Sequence, residues 1–204
     1  WSAILAGESA RADAVIRRLT DAGGRDLLVL RARRRLAQLA GARERADSLL
    51  WSIAESYPSA REARRLLPGA GVALDSLSIA HRRVLLGVAE ATTDPSRYLA
   101  LDQSLAPGLD PGTRRGQALR GARLFWKAKQ YGALRRAVSN GPWRDAPVGG
   151  VDWGLLLGRT YRNTGVPDSM GLWYTSAIEA GPGEDRAVRR DQGAGPVKDQ
   201  LVLA

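Results

Sequence analysis

A spacing that occurs twice places the strongest constraint on how this chain can fold. A glycine is followed by three apolar residues at helical intervals and then by a proline, and the pattern returns 124 positions later. This pattern predicts the second helix of an αα-hairpin. The first copy is Gly41, Ala46, Leu50, Ile53 and Pro58, and the second is Gly165, Met170, Tyr174, Ala177 and Pro182. Because a helix with one apolar stripe must be covered by neighbours, the spacing predicts stacked helical repeats.

Composition and periodicity favour helices along the rest of the chain. Alanine, leucine and arginine dominate the 204 residues, aromatic residues make up only 6%, and the alternating patterns typical of strands are missing. We therefore predict an all-α fold, a right-handed stack of irregular αα-hairpins similar to a solenoid. The predicted helices span about residues 10–19, 27–40, 43–56, 59–67, 77–91, 95–105, 112–128, 132–139, 152–163 and 168–180.

The pattern predicts one helical-repeat domain over residues 1–192. The best repeats lie at 25–58 and 151–184, and the middle, 68–150, is expected to be irregular because the 124-residue offset is not a whole number of repeats. Residues 193–204 begin with a glycine- and proline-containing linker. We expect them to form a tail or the start of a truncated element.

Several residues are predicted to start and stop these helices. Asp94 and Asp110 each precede a proline, which combines a capping side chain with a favourable first-turn residue. Ser59 is predicted to cap the short helix that follows Pro58, and Pro182 to end the last repeat helix. Two helices have clear candidate inward faces. These are Leu28, Ala32, Leu36 and Leu39 in the second helix, and Leu77, Ala80, Val84 and Val88 in the helix of residues 77–91.

Residues 151–184 resemble a tetratricopeptide repeat, because large and small residues fall at that family's positions. The matching residues are Leu157, Gly158, Tyr161, Gly165, Tyr174, Ala177 and Pro182. The resemblance implies that Gly158 lets the two helices approach and that Ala177 lies where they cross. Gly154 and Met170 depart from the family, which favours a large apolar residue and an alanine there. Residues 25–58 are a weaker copy, in which two arginines replace the family's leucine–glycine pair.

More narrowly, the order of segments resembles the U-shaped, non-catalytic helical region of bacterial soluble lytic transglycosylases. That region has a similar Tyr57-Pro58-Ser59 turn, a less regular middle, a helix containing Ala-Arg-Leu-Phe as at residues 122–125, and a late repeat. Those enzymes carry their catalytic glutamate in a separate lysozyme-like lobe, near a Gly-Leu-Met-Gln stretch that this sequence lacks. The resemblance therefore implies an accessory region without a catalytic role.

No constellation of residues in the sequence points to catalysis. The chain has no cysteine and one histidine, His81, which leaves too few ligands for a zinc or copper site. We interpret His81 as a structural residue, interior or half-exposed, and most aspartates at helix starts as caps. Phosphate-binding loops, dinucleotide fingerprints and nucleophile elbows are absent. We therefore predict no metal, no cofactor and no enzymatic activity for this segment.

A basic segment is the main candidate for binding. Residues 111–144 contain nine lysines and arginines and no acid, in a chain whose net charge is +10. Arg120, Arg123 and Lys127 are expected on one face of a helix, opposite its apolar residues. The candidate residues for a partner or anion are Arg114, Arg115, Arg120, Arg123, Lys127, Arg135, Arg136, Trp126 and Trp143. The alternative is a solvated face balanced by acids on a neighbouring hairpin, with the tryptophans packed between helices.

Three functions remain open at this point. The first is a non-catalytic scaffold for protein–protein interaction in a bacterial envelope assembly, since stacked hairpins form grooves for peptides. The second is the accessory superhelical region of a peptidoglycan lytic transglycosylase. The third is a polyanion-binding module built on residues 111–144. The expected partner is a protein with an acidic peptide or surface, with an anionic glycan or nucleic acid as the alternative. No apolar run spans a bilayer, and the periplasm or envelope is favoured over the cytoplasm.

Overall fold

All regular structure in the described part of the chain is helical. The computed structural model describes residues 9–21, 26–69, 73–144 and 150–191, with the backbone alone for 9–10, 13, 19–21 and 181–191. These ranges contain α-helices, two short 3₁₀ helices and no strand, which confirms the all-α prediction. The α-helices are Ser9–Asp21 (α1), Leu27–Leu39 (α2), Arg43–Ser56 (α3), Arg61–Arg64 (α4), Ile79–Ala91 (α5), Pro95–Leu105 (α6), Pro111–Lys127 (α7), Tyr131–Ser139 (α8), Val151–Asn163 (α9) and Pro167–Asp191 (α10).

Four pairs of consecutive helices form αα-hairpins: α2–α3, α5–α6, α7–α8 and α9–α10. Three residues separate the two helices of each pair, and the middle one has a left-handed backbone conformation. The N–H of the third residue donates to the carbonyl five positions earlier, which is the hydrogen bond of a Schellman turn. The left-handed residues are Gly41 (φ 69°), Thr93 (φ 53°), Lys129 (φ 57°) and Gly165 (φ 70°).

The last three of these turns recur at equal intervals. Thr93, Lys129 and Gly165 follow one another at 36 residues, whereas Gly41 precedes Thr93 by 52. Two hairpin turns therefore lie within residues 68–150, the part of the chain that the sequence pattern marks as irregular. The pattern misses them because threonine and lysine stand where a turn glycine is expected.

The chain divides into two compact units, residues 1–105 with α1 to α6 and residues 106–204 with α7 to α10. The boundary falls inside the predicted single domain of residues 1–192, whose unity stays a prediction. The predicted tail, residues 193–204, lies outside the described residues.

The inward face of α2 differs in part from the predicted one. Ala32 and Leu36 are buried as expected, but Leu28 and Leu39 are 54% and 51% exposed. The helix packs against α1 on one side and α3 on the other, so its buried surface is a wide arc instead of a narrow stripe. The other buried residues of α2 are Val29, Leu30 and Ala37.

The buried face of α5 is also rotated from the predicted one. Val88 is fully buried as expected, but Ala80 is exposed and Val84 only half-buried. Because α3, α4 and α6 all contact α5, three neighbouring helices determine which face is covered. The sequence of α5 alone does not predict where those helices lie. The residues buried besides Val88 are Leu85, Leu86 and Ala89.

His81 has a structural role on the outer part of α5. Its ring is half-exposed and stacks on Trp51 of α3, with the ring centroids 3.9 Å apart and the planes 15° from parallel. This arrangement agrees with the interpretation of His81 as a packing residue. The stack joins two helices that also contact each other elsewhere.

A two-pronged ion pair joins α2 to α4 in the first unit. The Arg31 Nε and Nη2 atoms donate to the two carboxylate oxygens of Glu62, both at 2.8 Å. The side chains are only 31% and 21% exposed, so the pair is partly shielded from water. The hydrogen bonds from Arg31 hold the pKa of Glu62 below its ordinary value, against the opposing effect of burial.

We expect Glu62→Gln to destabilise the protein at neutral pH by about 1–2 kcal/mol, because it leaves Arg31 without its carboxylate. The pKa of Glu62 is lowered in the folded state, so its contribution is complete above the unfolded value near 4.5. The contribution disappears as the pH falls through the lower, folded-state pKa. Urea unfolding from pH 7 down to pH 3 should show the wild type and Glu62→Gln converging in acid.

The exposed Glu55 provides a control for this pH dependence. Glu55→Gln should change stability by less than about 0.5 kcal/mol at every pH. A difference between wild type and Glu62→Gln that stays constant from pH 7 to pH 3 would contradict a stabilising role of the carboxylate charge.

Two glycines bring α9 and α10 together in the second unit. A Cβ atom at Gly158 would lie 2.6–2.9 Å from ring atoms of Tyr174, so the tyrosine ring packs directly on the α9 backbone. A Cβ atom at Gly154 would lie 2.5 Å from the Cβ of Ala177 and 2.7 Å from the Trp173 carbonyl oxygen. Gly154, a departure from the tetratricopeptide pattern, is therefore the closest crossing point of this hairpin.

Two predicted helix caps form, and two predicted helix boundaries are wrong. Asp94 and Asp110 accept hydrogen bonds from the N–H groups of residues three positions later, at 3.1 and 2.9 Å. Ser59 does not cap α4, which begins after Ala60 without a side-chain cap. Pro182 does not end α10, which continues to Asp191. A proline inside a helix removes one hydrogen bond, and it can bend the helix without ending it.

Candidate basic binding surface

Helix α7 separates its apolar and basic residues onto opposite sides. Ala118, Ala122 and Phe125 are buried, whereas Arg123 and Lys127 are exposed. Asp110 fixes the start of the helix, because its carboxylate accepts the N–H of Thr113. Hydrogen bonds from Thr113, first from its side chain and then from its backbone, lower the pKa of Asp110 and keep this cap charged.

Five of the nine cations in residues 111–144 are exposed, and the other four are half-buried. The exposed cations lie on α7, on α8 and in the turns that follow these helices. We call these five residues the basic surface. They are Arg123, Lys127, Lys129, Arg136 and Arg144. The half-buried cations are Arg114, Arg115, Arg120 and Arg135.

One cation of the basic surface has a carboxylate partner. The Nη2 atom of Arg123 lies 2.8 Å from Oδ2 of Asp152 in the first turn of α9. The half-buried Arg115 and Arg120 also take part in interactions. In the part of the chain that the structure describes, no acid lies within ion-pair distance of the remaining exposed cations. These are Lys127, Lys129, Arg136 and Arg144.

The two tryptophans of the candidate site have different surroundings. Trp143 is only 1% exposed and contacts Phe125 edge-to-face, with ring centroids 5.8 Å apart. It is therefore a core residue of the second unit, and a ligand cannot reach it. Trp126 is half-buried and contacts Tyr131 across the α7–α8 turn, at a centroid distance of 5.5 Å. Trp143 therefore offers no ring face beside the cations.

Lys129 has a strained backbone at the centre of the α7–α8 turn. Its φ of 57° lies in the left-handed region, where a side chain with a Cβ atom is less stable than glycine by about 1 kcal/mol. The side chain is exposed and has no described acid partner. Glycine would make this backbone conformation more stable, but the residue at this position is a lysine.

Sequence reasoning brings most of these cations together but misses two features of the surface. It gives no reason to connect Asp152 with Arg123, because the two residues are 29 positions apart on different helices. An acid in the first turn of a predicted helix is the only signal for Asp152, and that signal indicates a dipole interaction. The left-handed turn at Lys129 is also missed, because the sequence has no glycine at this position to indicate it.

The described residues contain no group of three or more side chains that could hold a metal ion. None of the helices described is both long enough and apolar enough to cross a bilayer. No protein-family model, curated protein or solved structure matches this chain.

Proposed function

We propose that this protein is a non-catalytic helical scaffold that binds an acidic segment of a partner protein through its basic surface. The observation that carries the proposal is the set of exposed cations without described acid partners on and after α7 and α8. Unpaired charges of one sign raise a local potential that attracts and orients a ligand of opposite charge. The helical hairpins supply the rigid elements that hold these charges in place.

The scaffold part of the proposal is supported by the repeated turns. Three hairpin turns recur at 36 residues, close to the ~34-residue period of tetratricopeptide repeats. The close approach of Tyr174 to the α9 backbone at Gly158 also agrees with the role that the resemblance implies for this glycine, which lets the two helices approach. We therefore propose a stack of irregular hairpins similar to that family, which binds proteins through helical surfaces.

An acidic protein segment fits this surface better than a single-stranded nucleic acid does. Nucleic-acid grooves combine cations with open aromatic faces on which bases stack. Here Trp143 is buried, and Trp126 is half-buried against Tyr131. The one described partner of a cation in the basic surface is a carboxylate, that of Asp152. Recognition by charge, without stacking, is what an acidic peptide needs.

The geometry of Lys129 supports a binding role for this position. A lysine in a left-handed turn makes the hairpin less stable than a glycine does. Strained backbone conformations are found preferentially where a side chain has a function. The side chain at this turn is an exposed cation two residues after Lys127 in sequence.

Charge reversal of Lys127, Lys129 and Arg136 to glutamate tests the proposal. We expect the triple variant to bind fluorescein-labelled octaglutamate at least about tenfold more weakly at about 0.1 M salt, where the Debye length is about 10 Å. At about 1 M salt the two proteins should bind equally weakly, because the charges are screened. Fluorescence anisotropy measures both dissociation constants.

The matched control reverses Arg43, Arg45 and Arg65, which are exposed residues of the first unit. Both triple variants lower the net charge from +10 to +4, since each reversal removes two charges. An equal loss of binding in both would show that total charge, not the basic surface, attracts the peptide. Failure of the wild type to bind octaglutamate at low salt, or tighter binding of duplex DNA or soluble peptidoglycan fragments, would contradict the proposed partner class.

A second arm of the same test separates binding from stability. Lys129→Gly should stabilise the protein by about 1 kcal/mol while weakening octaglutamate binding about two- to threefold, because the strain and one cation disappear together. Thr93→Gly relieves the same kind of turn in the first unit. It should give a similar gain in stability with unchanged binding. Unchanged binding in both variants would argue against a role for Lys129.

The accessory helical region of a lytic transglycosylase is the second candidate function. The observation that favours it is the Tyr57–Ser59 turn, where Tyr57 ends α3 and its carbonyl accepts the N–H of Ala60. The sequence resemblance at this turn supports the candidate. The candidate predicts that the basic surface binds anionic peptidoglycan fragments more tightly than octaglutamate, so a comparison of the two dissociation constants distinguishes the two functions.

A further inference from the structure

A carboxylate already occupies one position of the basic surface. Asp152 Oδ2 accepts a hydrogen bond from Arg123 Nη2 at 2.8 Å, across 29 residues of sequence. The Arg123 side chain is 52% exposed and that of Asp152 is 29% exposed, so solvent reaches both members of the pair. The geometry of this contact is the one that an incoming glutamate or aspartate would adopt.

The Arg123–Asp152 pair is held less firmly than the Arg31–Glu62 pair. Arg31 and Glu62 are joined by two hydrogen bonds and are more buried, whereas a single hydrogen bond joins Arg123 to Asp152. Exposed pairs of the second kind contribute little to stability, since water and salt compete with them. Replacing one carboxylate by another at Arg123 is therefore close to neutral for the fold.

We propose that Arg123 is the carboxylate-binding residue of the basic surface, and that Asp152 occupies it until a side chain of the partner takes its place. This inference rests on the proposed function. Lys127 lies one helical turn beyond Arg123 on the same face of α7 and has no described acid partner. Two cations at this spacing are about 6 Å apart along the helix axis. They match a ligand whose acids have the same separation, such as residues i and i+4 of an acidic helix.

Asp152→Asn tests the inference, because it removes the internal competitor and keeps the size of the side chain. We expect it to lower the dissociation constant for octaglutamate about two- to fivefold at about 0.1 M salt. Asp168→Asn is the matched control. Asp168 is exposed and occupies the same position in the first turn of α10 as Asp152 in α9, without a described ion pair. Asp168→Asn makes the same change in net charge and should leave the affinity nearly unchanged.

Substitution of the arginine completes the test. In an Arg123→Gln background, Asp152→Asn should no longer improve binding, because the site for which it competes is gone. Equal gains from Asp152→Asn and Asp168→Asn, or a gain that persists without Arg123, would overturn the proposal and leave a general charge effect. These outcomes differ from failure of the proposed function, in which the wild type itself does not bind octaglutamate.

An NMR titration provides a readout that does not depend on comparing variants. Peptide binding to the wild type should shift the Arg123 Nε–H resonance and change the chemical shift of the Asp152 carboxyl carbon, because the hydrogen bond between them is lost. Binding with both resonances unchanged would place the peptide elsewhere and overturn the proposal.

Discussion

Gly154→Ala is expected to destabilise the second unit by about 2–3 kcal/mol, although alanine has the higher helix propensity. The new Cβ would lie 2.5 Å from the Cβ of Ala177, 2.7 Å from the Trp173 carbonyl oxygen and 2.9 Å from the Ala177 Cα. Two of these neighbours are backbone atoms, which can move only if α10 moves as a whole. Overpacking typically costs about 1–3 kcal/mol and occasionally more, and against these backbone atoms we expect about 3–4 kcal/mol, of which about 1 kcal/mol is offset by helix propensity.

Urea unfolding followed by circular dichroism measures this effect, and alanine substitutions at three other glycines provide the comparison. Gly158→Ala should be milder, because its new methyl group meets the ring of Tyr174, and a half-buried side chain yields more easily than a backbone. Gly87 in α5 and Gly171 in α10 have no atom within 4 Å of an added Cβ. Alanine at either position should stabilise by about 0.5–1 kcal/mol. A Gly154→Ala protein as stable as these controls would mean that α9 and α10 do not cross at this residue.

Trp143→Ala should destabilise the second unit by about 3–5 kcal/mol, the range for removal of a large buried aromatic side chain. Trp143 is almost inaccessible and packs on Phe125, which is itself a core residue of α7. Its removal leaves a cavity that fixed helices cannot fill. The sequence places Trp143 among the candidate binding residues, so this substitution distinguishes a core residue from a ligand platform.

Trp126→Ala is the comparison for this experiment. Trp126 is half-buried, and its indole nitrogen is enclosed without a hydrogen-bond partner among the described residues. Truncation should therefore destabilise by only about 1–2 kcal/mol, since less area is lost and an unsatisfied donor is removed. A Trp143→Ala protein that keeps wild-type stability but loses octaglutamate binding would show that Trp143 is a binding residue and not a core residue.

Local signals in the sequence predict the helices well. Proline and aspartate mark the starts of α6 and α7, and Gly41 and Gly165 mark two of the four hairpin turns. These signals are reliable because each depends on backbone chemistry within a single turn. The prediction fails at Ser59, where Ala60 precedes the helix instead, and at Pro182, where the helix continues.

Buried faces are predicted less well, for a physical reason. Periodicity locates one stripe, whereas α2 packs on α1 and α3 and forms an ion pair with α4, and α5 packs on three helices. Leu28 and Leu39 satisfy the period and remain half-exposed, since the direction of each neighbour is decided by residues elsewhere in the chain. The α5–α6 and α7–α8 turns are hidden in the same way, because Thr93 and Lys129 adopt a backbone conformation for which their sequence gives no signal.

The sequence predicts the positive charge of the candidate site, but it does not predict which acid forms an ion pair with its cations. A run of nine cations without an acid is visible in the sequence, and helical periodicity orients three of them. The contact between Arg123 and Asp152 needs the packing of α7 against α9, which no local pattern reports. The burial of Trp143 likewise depends on its contact with Phe125 and on the helices around it.

The short turns of the four hairpins have a consequence for the rate at which the chain folds. Each turn has three residues, so each helix pair closes with a small loss of chain entropy. Proteins dominated by such local pairings have low contact order, and they fold in microseconds to milliseconds. We expect each hairpin to form as an early kinetic unit, with the left-handed residue of its turn determining how quickly the second helix finds the first.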